Sequence, residues 1–343
     1  MNINSKIYIA GHTGLVGSNI LNKLKNLGYK NIITRDFKDL DLINQQAVED
    51  FFEKYKPEYV FLAAARVGGI WANNTYKAEF IYDNLIIAAN IIHASYKYGV
   101  KKLLNLGSSC IYPKLAPQPL KEEYLLSGYL EATNEPYAIA KIAAIKLCRY
   151  YNEQYNTNFI SVMPTNLYGP NDNFNLETGH VLPVLIRKFY LAKLLQENNL
   201  DLINKNLNLN LKNIKDIEVE LAKFGIYKNK IILWGSGNVY REFLHVSDLV
   251  EALIFLMQNY DYKDIGEIIN IGTGIDLTIK DLANLIKNIS GFAGDIVFDN
   301  IKPDGTPQKL LDVSRIKSLG WQPKILLKYG VKQVYESYIN LWE

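Results

Sequence analysis

Short apolar runs alternate with stretches of helical spacing through the first half of the chain. Lys6–Ala10 (KIYIA) is a continuous apolar run that ends in glycine, and apolar residues recur at helical spacing over Leu15–Leu27. A second strand is predicted at Asn31–Thr34, a helix at Ala47–Tyr55 closed by Pro57, and a third strand at Tyr59–Ala64. A long, largely apolar helix follows at Phe80–Tyr98, then a fourth strand at Lys102–Leu106, a second long helix at Tyr137–Tyr155 and a fifth strand at Phe159–Met163. Strands that alternate with helices imply parallel strands joined by helical crossovers. Strands buried on both faces read as solid apolar runs, as these do. The fold class predicted is α/β, a Rossmann-type doubly wound parallel sheet with a smaller, mixed C-terminal lobe.

The pattern breaks after Pro170. Residues 191–230 are rich in Asn, Leu and Lys, and NKNLNLNLKN (Asn204–Asn213) is nearly low in complexity. This stretch reads as an insertion on the smaller lobe, only part of it helical. A strand at Ile231–Trp234, a helix from about Asp248 and a strand at Ile268–Ile271 follow. The expected division is residues 1–170 for the nucleotide-binding domain, with a return segment near 237–272, and 171–343 for the substrate lobe.

Composition narrows the function classes. A chain of 343 residues is long enough for two lobes, and 48% hydrophobic with 21% charged residues is ordinary for a globular protein. A net charge of +3 is too small to argue for nucleic acid or an anionic membrane, but leaves room for a local cationic cluster that binds a phosphate-bearing small molecule. Two cysteines, Cys110 and Cys148, make no disulfide framework, so a reducing, cytoplasmic location is expected. No apolar run reaches membrane-spanning length, and polar Met1–Lys6 runs straight into a strand, without the form of a signal peptide. His12, His93, His180 and His245 are scattered, and no metal site is expected.

Two residue groups carry chemistry. Gly11, Gly14 and Gly17 follow the first strand and open a helix, the placement that lets backbone N–H groups approach a pyrophosphate at a helix N-terminus. Thr13, Leu15 and Val16 lie within the same turn. The second group is Ser108 at the end of strand four with Tyr137 and Lys141 at the start of a long helix. Residues four apart share a helix face. A lysine ammonium beside a phenol is expected to lower the tyrosine pKa and fit it for proton transfer. Ser108 can bind the same substrate oxygen, a set suited to carbonyl reduction. The residues alone leave open whether Cys110 is a small buried filler and whether His180 only caps a loop. Cys148 falls on an apolar helix stripe and reads as core. His245 reads as structural, beside a helix capped by Ser247 or Asp248.

The runs GHTGLVGS (Gly11–Ser18), LAAARVGGI (Leu62–Ile70), LGSSCIYPK (Leu106–Lys114), EPYAIAKIAAIKLC (Glu135–Cys148), SVMPTNLYGPNDNF (Ser161–Phe174) and KPDGTPQKLLD (Lys302–Asp312) resemble the GDP-L-fucose synthase family of the extended short-chain dehydrogenase/reductases. The resemblance covers nearly the whole chain apart from about 191–230. It implies NADP(H) as cofactor, epimerisation of a GDP-4-keto-6-deoxy sugar at C3 and C5, and reduction at C4. Ser108, Tyr137 and Lys141 then match the reduction residues, Cys110 the epimerisation base and His180 the matching acid. Ala63, Leu106, Gly107, Pro164, Asn166, Leu167 and His180 would border the cofactor. Lys188, Trp234, Arg241 and Asp304, with Asn166, would meet the GDP-sugar. The family also implies a homodimer, which the two long apolar helices could form.

Two departures qualify the resemblance. Thr13 stands where many family members carry an arginine that holds the 2′-phosphate of NADP. Arg35 could replace it, whereas Asp36 could instead bind a free ribose hydroxyl. The 191–230 stretch lies before Trp234 and Arg241, so it could reshape the sugar pocket. The alternative is a reductase-only enzyme acting on a GDP-6-deoxy-4-keto-heptose for capsule or surface polysaccharide synthesis. A non-catalytic nucleotide sensor is disfavoured because Ser108, Tyr137 and Lys141 are all present. A dehydratase is disfavoured because Ser109 and Cys110 stand where such enzymes place a carboxylate.

Overall fold

The computed structural model describes residues 1–302 and 304–343, with only the backbone described at residues 70 and 71. The first half runs β1 (Ile7–Ala10), α1 (Leu15–Asn26), β2 (Ile32–Ile33), α2 (Gln45–Tyr55), β3 (Tyr59–Leu62), α3 (Ile70–Thr75), α4 (Lys77–Lys97), β4 (Lys102–Leu106), α5 (Glu135–Tyr155) and β5 (Phe159–Pro164). The second half runs β6 (Asn166–Tyr168), α6 (Val181–Gln196), α7 (Leu200–Leu207), α8 (Ile214–Ala222), β7 (Lys230–Trp234), β8 (Tyr240–His245), α9 (Val246–Asn259), α10 (Tyr262–Ile265) and β9 (Ile269–Ile271). It closes with β10 (Asp276–Thr278), α11 (Ile279–Ser290), β11 (Asp295–Asp299), β12 (Gln308–Lys309), α12 (Ser314–Ser318) and α13 (Leu327–Ile339).

Six strands form one parallel sheet in the order β2-β1-β3-β4-β5-β9. Strand β1 shows why its pattern is unbroken. Ile7 and Ile9 pack to one face with Ile20 and Leu24 of α1 and Leu253 of α9. Tyr8 and Ala10 pack to the other with Phe52 of α2, Ile92 of α4 and Cys148 of α5. Both faces are core, so no position along the strand is left for a polar side chain. Each large apolar side chain so buried contributes roughly 1.5–3 kcal/mol before entropy is counted. The chain leaves β1 in both directions along the sheet, to β2 on one side and β3 on the other. That reversal opens a crevice at the carboxyl ends of β1 and β3, where such sheets bind ligands.

The remaining strands make a smaller, mixed assembly. β8 is central: β12 and β6 pair with it in parallel, and β10 antiparallel. β7 and β11 form a separate parallel pair. Leu185 and Phe189 of α6, Leu282 and Ile286 of α11, and Val331 and Val334 of α13 share a second core.

Most predicted elements recur within two or three residues. β2 is shorter than expected, because only Ile32 and Ile33 pair with β1. The helix expected from Asp248 begins at Val246, and its cap is His245, whose Nδ1 accepts the Ser247 N–H at 3.2 Å. The Asp248 carboxylate instead accepts the backbone N–H groups of Lys324 and Ile325. Within 191–230, the first six residues complete α6, and α7 and α8 are ordered helices with Asn caps at Asn199 and Asn213. Buried Asn206 ties α7 to the lobe: it accepts from Arg187 Nε at 2.9 Å and donates to the Tyr338 hydroxyl at 2.8 Å.

Candidate active site

The glycine turn sits at the mouth of the crevice. Gly11 adopts φ +84°, and a Cβ there would run into the backbone of Ala63 and Ala64 after β3. A Cβ on Gly17 would lie well inside contact with the Gly11 carbonyl, so this glycine is what brings α1 against β1. Gly14 differs. Its Cβ would meet only Gly11 O, at an ordinary 3.6 Å, so nothing in the protein demands glycine there. Gly14 is also the N-cap of α1, which has no side-chain cap bond and no acidic residue in its first turn. By contrast, Asn44 caps α2 by accepting the Ala47 N–H. An uncapped helix start beside open space fits a pyrophosphate. Thr13 is exposed at this turn, Leu15 partly so, and Val16 is buried in the core.

At the β2 end, the Arg35 guanidinium lies 4.4 Å from the Tyr55 ring centroid and donates to Thr34 O at 2.6 Å. Asp36 is engaged by His12 Nε2 at 3.4 Å. His12, inside the glycine turn, carried no sequence signal beyond its place in that motif.

The strand-tip wall is compact. Ser108 Oγ accepts the Cys110 N–H at 3.2 Å, which starts a short 3-10 turn over Ser109–Ile111. Ser108 and Cys110 both sit close enough to the Tyr137 hydroxyl to act on it electrostatically. Lys141 is 7% exposed, and its Nζ donates to Leu106 O at 2.8 Å. The Lys141 Nζ sits 5.7 Å from the Tyr137 ring centroid. Burial lowers the Lys141 pKa to about 8. The expectation that Lys141 lowers the Tyr137 pKa is overturned: burial comes first and raises it, with Cys110 adding to the rise and Ser108 opposing it. The ammonium is committed to a backbone carbonyl, and the phenol stays protonated. Gly107 packs without a side chain against Met163, and Pro164 ends β5. Asn166 donates to Glu242 O at 2.8 Å and so fixes β6 on β8, with Leu167 beside it.

A second wall continues from Cys110. Arg241 on β8 feels Cys110, Asp304 and Glu131, but burial comes first and lowers its pKa. Its guanidinium donates to Tyr240 O at 2.7 Å. Asp304 accepts the Ser236 N–H at 2.7 Å, beside Gly235. Trp234 is 64% exposed, with Lys302 Nζ 5.2 Å from its ring centroid, so it is a surface wall and not core. Lys188 on α6 is brought down to about 8 by burial. Among the described residues neither Lys188 nor Arg241 has a carboxylate at ion-pair distance, and two unneutralised cations suit a diphosphate. Among the described residues no hydrogen bond joins Lys188 to Ser108 or Tyr137.

His180 is the N-cap of α6, yet its side chain makes no cap bond. It is exposed by surface area, yet the protein packed around its ring desolvates it and lowers its pKa. The turn before it is set by Gly179, where a Cβ would strike the carbonyls of Asn173 and Asn175, and by the Gly69 N–H, which donates to Thr178 O at 3.0 Å. Among the described residues no hydrogen bond joins His180 to Cys110. The sequence reading missed Asn134 and Lys309, which meet Cys110. Lys309 lies inside the run KPDGTPQKLLD and Asn134 immediately before EPYAIAK. Among the described residues, no cluster of His, Cys, Asp and Glu could hold a metal, and no helix is long and apolar enough to cross a membrane.

A parallel nucleotide-binding sheet with a Ser/Tyr/Lys set at its strand tips defines a nicotinamide-dependent sugar-nucleotide enzyme class. The family model for the NAD dependent epimerase/dehydratase family matches residues 7–272, and the chain belongs to that family. A putative GDP-L-fucose synthase 2 of Arabidopsis thaliana is 52% identical over 336 residues, which cover 98% of this chain and 92% of the relative. The solved GDP-6-OMe-4-keto-L-xylo-heptose reductase of Campylobacter jejuni superposes with a TM-score of 0.96 at 47% identity, covering 99% of both chains. The GDP-mannoheptose C4 reductase of Campylobacter jejuni, solved with NADP bound, superposes with a TM-score of 0.90 at 47% identity, again covering 99% of both.

Proposed function

We propose that this chain reduces C4 of a GDP-linked 4-keto-6-deoxy sugar with NADPH, after epimerising the carbons that flank the ketone. The observation that carries the reading is the convergence of Tyr137, Ser108 and buried Lys141 at the tip of β4, with Lys141 Nζ bonded to Leu106 O and 5.7 Å from the Tyr137 ring centroid. The reduced nicotinamide, when bound, supplies the hydride. The protein's part is the proton. Tyr137 is held neutral by burial and so arrives loaded, and the neighbouring Ser108 hydroxyl helps to position the ketone oxygen. Lys141, buried beside the phenol, holds the Leu106 carbonyl at the strand tip and so fixes the helix that carries Tyr137.

The glycine turn would cradle the pyrophosphate of NADP and Arg35 would meet its 2′-phosphate, supported by the NADP-bound relative. Lys188 and Arg241 would take the GDP diphosphate, with Trp234 and Asp304 toward the base. Residues 1–170 with 237–272 serve the cofactor, and 171–343 the sugar nucleotide. For epimerisation, Cys110 acts as base and His180 as acid next to a carbonyl that acidifies its neighbouring C–H bonds, the enolate oxygen resting on Ser108 and Tyr137. A second reading, C4 reduction of a GDP-4-keto-heptose without epimerisation, is favoured by the end-to-end similarity to two heptose reductases. We infer a cytoplasmic homodimer formed through α4 and α5, a reading supported by the exposed Tyr82, Ile139 and Tyr150 on those helices.

The test is a panel of GDP-4-keto hexoses and heptoses with NADPH or NADH in deuterated water, read by NMR. Turnover with NADPH and deuterium beside the new C4 alcohol is expected. Turnover without that deuterium selects the reductase-only reading, and no turnover of any 4-keto sugar removes both.

A further inference from the structure

The wall behind Cys110 presents two donors that the reduction does not use. Lys309 Nζ lies 3.8 Å from Cys110 Sγ and Asn134 Nδ2 lies 3.3 Å from it. Asn134 occupies the N-cap of α5, where asparagine ordinarily accepts an N–H of the next turn. Here no cap bond is made, and Asn134 Oδ1 is buried without a partner. The side chain has been diverted to the sulfur at the expense of its own helix.

The backbone of Lys309 is held from both sides. It stands opposite Arg241 in the β12–β8 ladder. The Gln118 carboxamide straddles it, donating to Gln308 O at 3.3 Å and accepting the Leu310 N–H at 2.9 Å. Fully buried Glu242 accepts the Leu311 N–H at 2.9 Å. Among the described residues Lys309 is in no ion pair; the nearby Glu131 carboxylate is paired with Lys114 at 2.8 Å. A framed, unpaired ammonium and a diverted amide, both aimed at one sulfur, suit a sulfur that carries negative charge.

We propose that Lys309, helped by Asn134, is a positioning residue for the epimerisation half-reaction, donating to Cys110 Sγ while that sulfur acts as base. The inference rests on the assignment of Cys110 as that base. In the step, an electron pair on Sγ forms an S–H bond with the proton next to the ketone. The C–H pair becomes the enolate double bond, and the carbonyl π pair moves to the oxygen held by Ser108 and Tyr137. His180 delivers a proton to the same carbon from the other side. Cys110 then releases its proton to water and His180 takes one up, so the count is restored.

Lys309→Met and Lys309→Arg separate this role from simple support of the fold. Three rates are measured: deuterium uptake beside the ketone, reduction of a ketone already in its final configuration, and alkylation of Cys110 by iodoacetamide at fixed pH. Cys148 is 1% exposed and does not compete for the reagent. Lys309→Met is expected to lower the ratio of uptake to reduction by about 10-fold or more and to slow alkylation by about 10-fold, with Lys309→Arg restoring most of both. Equal loss of uptake and reduction with unchanged alkylation would overturn the proposal. If the unchanged enzyme takes up no deuterium, Cys110 is not a base and both the epimerase reading and the role of Lys309 in it fall. Uptake by the unchanged enzyme with alkylation untouched in Lys309→Met removes the Lys309 role alone.

Discussion

Lys141 and Lys188 are both held in long helices, and burial brings both ammonium groups down to about 8. Their surroundings differ. Lys141 donates to Leu106 O and stands beside a tyrosine flanked by Ser108, so this ammonium has its partner without any ligand. Among the described residues Lys188 has no such partner, and the Arg241 guanidinium reaches only the carbonyl of Tyr240. One wall supplies its own partners, as the proposed proton transfer requires. The other leaves positive charge without a carboxylate, as the proposed diphosphate site requires. Preorganisation and ligand dependence are thus segregated by wall, and each can be attacked separately.

The largest effect should come from the self-sufficient wall. Tyr137→Phe is expected to cut kcat for ketone reduction by about 10³-fold, within the range of a lost general acid, while NADPH affinity by fluorescence titration stays within about 2-fold. The glycine turn should split next. Gly17→Ala forces a methyl group onto the Gly11 carbonyl and should cost about 3 kcal/mol in a denaturant melt. Gly14→Ala meets no protein atom closer than 3.6 Å and should leave that melt unchanged while weakening cofactor binding about 10-fold. An equal loss of stability in both variants would contradict the ligand-dictated role of Gly14.

On the ligand-dependent wall, Lys188→Met should raise KM for the GDP-sugar by about 10- to 100-fold, the cost of one charge-assisted contact. The same variant should be more stable than the parent when empty, with Tm raised by about 1–3 °C, because a cation without a partner has been removed. The sign with pH follows from linkage. Folding depresses the Lys188 pKa from 10.5 to about 8, so between these values the unfolded chain binds more protons and stability rises with pH. The destabilisation is full below pH 8, and the Tm advantage of Lys188→Met should shrink from pH 8 to pH 10. Trp234→Ala should give the smallest change, about a 5-fold rise in KM with kcat retained, since the ring offers only a flat apolar wall.

The sequence made the parallel sheet legible because a strand with two buried faces has no polar position, as Ile7–Ala10 shows. Gly11, Ser108, Tyr137 and Lys141 were legible because their spacing is tied to the ends of such strands and the starts of the helices that follow. Lys309 and Asn134 were not. One lies on a two-residue strand far along the chain and the other at a helix cap, and only the folded β12–β8 ladder brings Lys309 to Cys110. The protonated state of Tyr137 was also hidden. Spacing put Lys141 nearby, but burial and the Leu106 carbonyl decide which group gives way. The Asn-rich stretch looked loose because composition does not reveal that Asn206 would be buried between Arg187 and Tyr338.

The most direct measurement follows one labelled hydrogen. The enzyme and its Tyr137→Phe variant are given a GDP-4-keto-6-deoxy sugar with NADPH deuterated at the transferring position, and the product is read by NMR. The account predicts deuterium at C4 of the sugar with the parent and almost none with the variant. Undiminished labelling at C4 by the variant would contradict it.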